Sequence, residues 1–276
     1  VGFINNIVTK FGIEVSHVSP VDVDEWKAAI KPNTKLFFLE TPSNPLGEVA
    51  DLEALAELAH SIGALLVVDN SLLSPAGSQP LKHGADISVS SATKAIDGHG
   101  RVMGGVLAGS EELMTQVAIY CNSCGLAMSP FNAWQLLSGV ETLSLRMEKQ
   151  FDNALKIAQW LQQQPQVQAV YYTGLPDHPQ AELIRKQQNG GGIVIGFEVA
   201  DQEAAWKIVD GVELFSRTAN LGDVRSTITH PWTTTHGRMQ PEEKLAANIR
   251  PGLVRLSVGL EYVDDLIEDL KQVLNK

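Results

Sequence analysis

Ser90-Ser91-Ala92-Thr93-Lys94 runs straight into Asp97-Gly98-His99-Gly100-Arg101-Val102-Met103-Gly104-Gly105. Ahead of it, Gly84-Ala85-Asp86-Ile87-Ser88-Val89 reads as a strand leaving a turn, so Lys94 falls just past a strand end. A lysine placed there can form a Schiff base with a carbonyl cofactor, while the hydroxyls of Ser91 and Thr93 bond a phosphate. The plainer reading is an exposed lysine in a polar turn. Ser91 to Lys94 also fits the S-x-x-K spacing of a penicillin-binding or β-lactamase nucleophile, but the chain holds neither K-T-G nor Ser-Asp-Asn.

Ala64-Leu65-Leu66-Val67-Val68-Asp69-Asn70 separates these readings. A short β-branched run ending in an acid is the pattern of a buried parallel strand, and its C-terminal end faces the crevice where open α/β sheets bind ligands. Pyridoxal phosphate needs an acid there, because an Asp paired with the pyridine nitrogen keeps it protonated and the ring an electron sink. Taken alone, Asp69 is a turn or N-cap residue. A ribose-binding acid is the other option, yet no G-x-G-x-x-G follows an early strand. Asp69 and Lys94 on successive strands favour the cofactor.

The elements that must position these residues follow from periodicity. Phe3, Ile7 and Phe11 recur every four residues, predicting the end of a helix over 1–12 that Gly12 stops. Ile13 to Val18 reads as a strand, Asp22 to Ile30 as a helix, and Lys35 to Glu40 as a strand entering the rigid turn Pro42-Ser43-Asn44-Pro45. Leu52 to Ile62 is a helix with Leu55, Leu58, Ala59 and Ile62 on one face and Gly63 as stop. Val102 to Ala108 is a small-residue strand, and Gly98, Gly100 and Gly104 mark a glycine-rich turn. Strand–helix alternation predicts an α/β fold with a mostly parallel sheet covered on both faces. Glu111 to about Tyr120 and Pro130 to about Leu161 are helical, the latter as one helix or two.

From Gln166 the character changes. Val167 to Tyr172, Gly192 to Val199, Phe215 to Asn220, Ser226 to Thr229 and Val254 to Val258 read as strands, with helices over Ala204 to Val209 and Tyr262 to Leu274. This predicts a smaller C-terminal α+β domain, with the boundary near residues 130–150.

A length of 276 residues with 44% hydrophobic content supports one large domain or two modest ones. A formal charge of −11 argues against nucleic-acid or anionic-membrane partners. No apolar run has the roughly 18–20 residues that span a bilayer, and the N-terminus lacks the basic start of a signal peptide, so the reading is cytoplasmic. Cys121 and Cys124 form C-x-x-C, but no second pair completes a zinc site and no strand precedes them as in a redox pair; helix packing is the expectation. His230 and His236 lack a third ligand, so loop hydrogen bonds are expected and no metal.

Glu40-Thr41-Pro42-Ser43-Asn44-Pro45, Val67-Val68-Asp69-Asn70, Ser91-Ala92-Thr93-Lys94 with Asp97-Gly98-His99-Gly100-Arg101, and Leu253-Val254-Arg255-Leu256-Ser257-Val258-Gly259-Leu260-Glu261 occur in this order. Together they closely resemble the Cys/Met-metabolism (trans-sulfuration) family of pyridoxal-phosphate enzymes, over essentially the whole chain. The Gly100-Arg101-Val102-Met103-Gly104-Gly105 run and Thr229-His230-Pro231-Trp232-Thr233-Thr234-Thr235-His236-Gly237-Arg238 are similar to its O-succinylhomoserine sulfhydrylase branch. The resemblance implies a fold-type-I (aspartate-aminotransferase-like) major domain over 1–135, lacking its N-terminal part, and a linker helix with a C-terminal α+β domain over 136–276. It implies pyridoxal 5'-phosphate as cofactor, bound by Asn44, Asp69, Ser91, Thr93 and the Schiff-base Lys94. Substrate would meet Asn220 and Arg255, the latter gripping the α-carboxylate.

A guanidinium fork suits that task, although an edge-strand arginine with its head in water is the alternative. The implied reaction is γ-replacement giving homocysteine from O-succinyl-L-homoserine and sulfide, in a cytoplasmic homotetramer built as a dimer of dimers. A methionine γ-lyase, a cystathionine γ-lyase or γ-synthase, and a non-catalytic remnant are the alternatives. Asn220 in place of serine agrees with the sulfhydrylases rather than the lyases. Ser90 stands where the family usually has His or Asn, which retunes nearby hydrogen bonds. The family's long N-terminal part, with its phosphate-binding turn, ring-stacking tyrosine and arm to a neighbouring subunit, has no counterpart here. The expectation is a piece of a longer chain, and a truncated protein is the alternative.

Overall fold

The computed structural model describes residues 2–275. Val1 and Lys276, the outer limits of the two expected domains, lie outside the described residues; Val1 also begins the expected first helix. That helix is instead α1 (Gly2–Asn6) followed by a separate 3₁₀ turn, Val8–Phe11. Phe3, Ile7 and Phe11 are all exposed, so their spacing has no apolar surface to hold it in one helix. Ile13 to Val18, expected as a strand, pairs with nothing among the described residues and is irregular. An extended segment without a ladder partner is not a strand.

α2 (Val23–Ala28) starts on Asp22, whose carboxylate accepts from the amides of Asp24 and Glu25. β1 (Leu36–Glu40), α3 (Leu52–Ser61) and β2 (Leu65–Asp69) form a βαβ unit. β1 and β2 run parallel, with Leu36 opposite Leu65 and Glu40 opposite Asp69. After the short α4 (Ser74–Gly77), β3 (Ile87–Ser91) runs parallel to β2. A π-helical turn, Ala92–Ile96, follows. β4 (Gly105–Gly109) then returns antiparallel to β3, completing the order β1-β2-β3-β4.

Trp26, Phe37, Leu39, Leu52, Leu55 and Ala59 make one core beneath α2 and α3. The expected cover on both sheet faces is found only at the central strands, where Val67 and Ile87 are buried on the face away from that core. Strand alternation sends Phe37 and Leu39 into that core and leaves Leu36, Phe38 and Glu40 exposed, as are Gly105, Val106, Leu107 and Ala108 of β4.

α5 (Glu111–Ser123) precedes the expected long helical stretch. That stretch is two helices, α6 (Pro130–Glu141) and α7 (Leu143–Leu161), divided at Thr142. The second sheet contains β5 (Ala169–Tyr171), β6 (Val194–Glu198), β7 (Ser216–Arg217), β8 (Thr227–Thr229) and β9 (Leu253–Ser257). Its order is β5-β6-β9-β8-β7, antiparallel except for β7 with β8. Between these strands lie α8 (Ala181–Gln187), α9 (Gln202–Gly211) and α10 (Pro241–Ala246), and α11 (Val263–Leu274) closes the chain. α8 and α10 were not expected. Ile157 and Leu161 of α7, Ile208 of α9, and Leu266 and Leu270 of α11 pack on Phe197, Val254 and Leu256.

Asp269 on α11 is 6% exposed, and its carboxylate takes the amides of Glu213, Leu214 and Phe215 at 2.8, 2.8 and 3.2 Å. One side chain therefore satisfies the whole turn between α9 and β7. Replacing Asp269 with alanine strands three amide donors, and we expect a loss of roughly 3 kcal/mol, read from urea unfolding. Asp269→Asn should lose less.

Candidate active site

Lys94 sits inside the π-helical turn with non-helical angles, φ −88° and ψ −129°. Such a turn survives only where its surroundings fix it. Arg146 of α7 does this from below. Only 5% exposed, it donates from Nη1 to Ala95 O at 2.8 Å, and from Nη2 to Ile96 O at 3.1 Å and Gly139 O at 2.8 Å. Its Nε reaches Thr142 Oγ1 at 3.1 Å. From the other side comes the loop Asn220-Leu221-Gly222-Asp223. A Cβ at Gly222 would lie 2.6 Å from Ala95 N and 2.9 Å from the Lys94 carbonyl carbon, so only glycine allows this approach. The loop delivers Asn220, whose Oδ1 accepts from Lys94 Nζ at 2.8 Å. Burial, and then the positive charge of Arg255, hold the Lys94 amine below its ordinary pKa.

Arg255 lies on β9, flanked by β6 and β8, and is 3% exposed. The edge-strand alternative, with the head in water, is therefore excluded. Its Nη2 donates to Ala219 O at 2.7 Å and its Nη1 to Asn44 Oδ1 at 3.3 Å. Nε is buried with no partner among the described residues. Burial pushes its pKa down to about 10, against the pull of Glu40. Asn44 reaches this point because its turn docks on β6: a Cβ at Gly196, the residue opposite Arg255, would lie 2.8 Å from Pro45 O.

Asp69 ends β2, and its Oδ1 accepts from the amide and hydroxyl of Ser71 at 3.0 and 2.5 Å. Its Oδ2 has no partner among the described residues. Ser71 Oγ in turn accepts from Ser91 N at 2.7 Å, tying β2 to the start of the Lys94 turn. The Ser91 hydroxyl has no partner among the described residues. Thr93 is more occupied: its hydroxyl accepts from Gly104 N at 3.0 Å and donates to Gly104 O at 3.3 Å. Thr93 and Asn220, with Gly100, Arg101, Val102, Met103 and Asn132, line an open cleft of about 440 Å³.

The structure thus brings Lys94 to Asn220 and Arg255 to Asn44, and places Asp69 and Ser91 on either side of Ser71. Sequence reasoning missed Arg146, Ser71 and the charge of Glu40. Arg146 had a signal, since it falls on the buried stripe of α7 with Met147, Gln150, Ala154 and Ile157, where an unpaired charge is costly. His230 makes the expected loop bonds, to Pro251 O at 2.7 Å and Thr233 Oγ1 at 2.8 Å, and His236 bonds Thr235 Oγ1 at 2.9 Å. Cys121 and Cys124 do not pack helices: no residue of α5 is buried, and Cys124 is exposed. Ser90 is buried.

These residues fit pyridoxal phosphate. Asp69 offers one free carboxylate oxygen at a strand end, Ser91 a free hydroxyl, and Lys94 a half-buried amine with lowered basicity. The chain matches the family model described as "Cys/Met metabolism PLP-dependent enzyme" over residues 1–275. It is 52% identical over 266 residues to an O-succinylhomoserine sulfhydrylase of Pseudomonas aeruginosa, covering 96% of this chain and 66% of that one. It is 43% identical over 277 residues to an L-methionine gamma-lyase of Porphyromonas gingivalis, covering 99% and 69%. A solved structure of cystathionine gamma-lyase from Lactobacillus plantarum, complexed with L-serine, superposes with a TM-score of 0.95 at 34% identity, covering 99% and 72%. The chain therefore spans about two thirds of the length of these relatives.

Glu40 stands beside Asp69 across the β1–β2 ladder. Burial of its carboxyl, and then the Asp69 carboxylate, push its pKa from 4.5 up to about 7, while the positive charge of Arg255 works against the shift. A folded pKa above the unfolded one means the folded state holds the proton more tightly, so stability falls as pH rises from about 4.5 to about 7. Glu40→Gln should flatten that slope and leave the variant more stable at pH 8 by roughly 1 kcal/mol, allowing for solvent screening. Urea unfolding at pH 5 and pH 8 measures both.

Proposed function

Because the chain belongs to the Cys/Met metabolism PLP-dependent enzyme family, we propose that it carries out γ-replacement, forming L-homocysteine and succinate from O-succinyl-L-homoserine and sulfide. The C–O bond at Cγ breaks and a C–S bond forms in its place. The observation that supports this best is the 2.8 Å contact of Lys94 Nζ with Asn220, an asparagine where lyases of the family carry serine. The 52% identity to a sulfhydrylase points the same way.

Pyridoxal phosphate, when bound, supplies the electron sink that makes the substrate's Cα–H bond acidic. Lys94 is the residue to hold it covalently, Asp69 Oδ2 the one to face its ring nitrogen, and Ser91, with Thr93 once freed from Gly104, to meet its phosphate. Asn44 belongs beside the ring oxygen. Arg255 binds the α-carboxylate, and its unpartnered Nε is the donor left for that anion. Lys94 Nζ moves protons at the substrate's Cα and Cβ. Its lowered basicity suits that work, since an ammonium cannot accept a proton. Asn220 Oδ1 holds Nζ on this side of the cleft.

In this reading residues 1–135 form the cofactor-binding domain and 136–276 the linker helix and substrate domain. The chain would act in the cytoplasm as a homotetramer. Exposed Ile119, Tyr120, Phe131, Trp134, Leu137 and Val140 on α5 and α6 support subunit contact, and no helix among the described residues is long and apolar enough to cross a membrane.

Products distinguish this from the γ-lyase reading that the Porphyromonas relative favours. With O-succinyl-L-homoserine, homocysteine should form only when sulfide is present, whereas 2-oxobutyrate and ammonia as the main products from methionine would select the lyase. Lys94→Ala should lower turnover by at least about 100-fold and abolish the visible absorption band that borohydride fixes to the protein. Arg255→Lys, which keeps the charge but not the fork, should cost about 10- to 100-fold in kcat/KM.

A further inference from the structure

Arg101 stands on the wall of the cleft that Thr93 and Asn220 also line, and nothing in the reaction above uses it. Its Nε and Nη2 donate to Asp97 Oδ1 at 3.0 and 2.9 Å, and Nη2 also reaches Gln135 O at 3.3 Å. Nη1 has no partner among the described residues. The Arg101 side chain is 36% exposed while that of Asp97 is wholly buried, so the acid fixes the guanidinium from behind and leaves its front on the cleft. Asp97 is itself held, with Oδ2 accepting from the amides of Arg101 at 2.8 Å and His99 at 3.3 Å.

The charge balance matters more than the contact. Arg146, whose own N–H groups go to carbonyls and a hydroxyl, feels both Asp97 and Arg101. One carboxylate therefore faces two guanidiniums. Asp223, which lies against Gly100, is paired with Arg225 at 3.3 Å and does not redress this. The Met103 carbonyl is propped by Asn132 Nδ2 at 3.0 Å, so the segment carrying Arg101 is braced on both sides. A preoriented, half-neutralised guanidinium with a free edge on a cleft is a carboxylate receptor. The α-carboxylate already has Arg255. A cleft of about 440 Å³ also exceeds what a small amino acid fills, and Arg101 is part of its wall.

We propose that this wall is the subsite for the acyl half of the substrate, with Arg101 binding the distal carboxylate of a dicarboxylic-acid ester. Arg101 would then select a succinyl over an acetyl ester. This rests on the γ-replacement reading above.

The test compares Arg101→Gln and Arg101→Lys with the cofactor-loaded wild-type protein on O-succinyl-L-homoserine and O-acetyl-L-homoserine, each with sulfide. The two esters differ in whether a distal carboxylate is present, so their kcat/KM ratio responds to a receptor for that group and not to general damage. Losing one charge-assisted pair should lower the succinyl-to-acetyl ratio by about 10- to 100-fold in Arg101→Gln, mostly through KM. Arg101→Lys, which keeps the charge and its Asp97 partner, should fall between and gives the answer if the glutamine variant does not fold. Equal losses on both esters, or an unchanged ratio in both variants, would overturn the subsite while leaving γ-replacement standing. A wild-type protein that turns over neither ester would remove both.

Discussion

A cation taken out of water must give its N–H groups to oxygens, and whether those oxygens carry charge decides what field is left over. Here the three cations at the centre take neutral ones. Arg255 uses the Ala219 carbonyl and the Asn44 amide, Lys94 the Asn220 amide, and Arg146 the carbonyls of Ala95, Ile96 and Gly139. Had these oxygens belonged to carboxylates, the charges would cancel at contact distance. Left uncancelled, they make a positive enclosure inside a chain whose formal charge is −11. The acids of the site act from further off: Glu40 and Asp69 sit side by side at the ends of β1 and β2, and Glu40 restrains the fall in the Arg255 pKa.

Carbonyl oxygens have fixed positions only where the backbone is fixed, so the same constraint shapes how the two sheets meet. Three backbone segments converge: the turn with Asn44, the Lys94 turn and the 219–223 loop. Two of them, the Lys94 turn and the 219–223 loop, are held by the same helix. α7 supplies most of the grip, with Arg146 on the Lys94 turn, Gln150 Nε2 on Asp223 O and Val258 O at 3.0 and 2.8 Å, and Asn153 Nδ2 on Gly259 O and Glu261 O at 3.1 and 3.0 Å. Residues usually left to the solvent side of a helix here share its buried face with Met147, Ala154 and Ile157. On the other flank Gln187 Nε2 donates to Ala50 O at 2.7 Å, and Gln180 Oε1 accepts from Val49 N at 2.9 Å. Amide side chains suit this task because they bridge backbone groups without adding charge to the enclosure.

Sequence patterns carried the parts of this that depend on local periodicity. The β2 run ending in Asp69 and the β3 run leading to Lys94 are legible as short strand runs bounded by turn residues or an acid, and the α3 stripe because its burial repeats at period 3.6. The π-helical turn around Lys94 is not, since its shape is imposed by Arg146 and Gly222 from distant positions. α8 and α10 are too short to show a period, and Phe3, Ile7 and Phe11 show one that no surface uses. Arg255 marks the limit. Its apolar neighbours signalled a buried strand, but only the placement of β9 between β6 and β8 decides that its head is buried as well.

The glycine-rich turn after Lys94 shows how a local pattern can be read correctly and still understated. Gly98 and Gly100 take φ of 68° and 63°, angles that other residues rarely adopt. With the chain bent at both, Asp97 Oδ2 receives the amides of His99 and Arg101 while Oδ1 receives the Arg101 side chain. The bend therefore does more than reverse direction. It wraps four residues around one buried carboxylate, and that carboxylate aims a guanidinium toward open space. A substitution at Gly98 would drive a Cβ into Arg146, so the same residue that allows the bend also admits the brace beneath Lys94. Loop shape, cleft charge and the placement of the lysine are thus one coupled arrangement, and none can change alone.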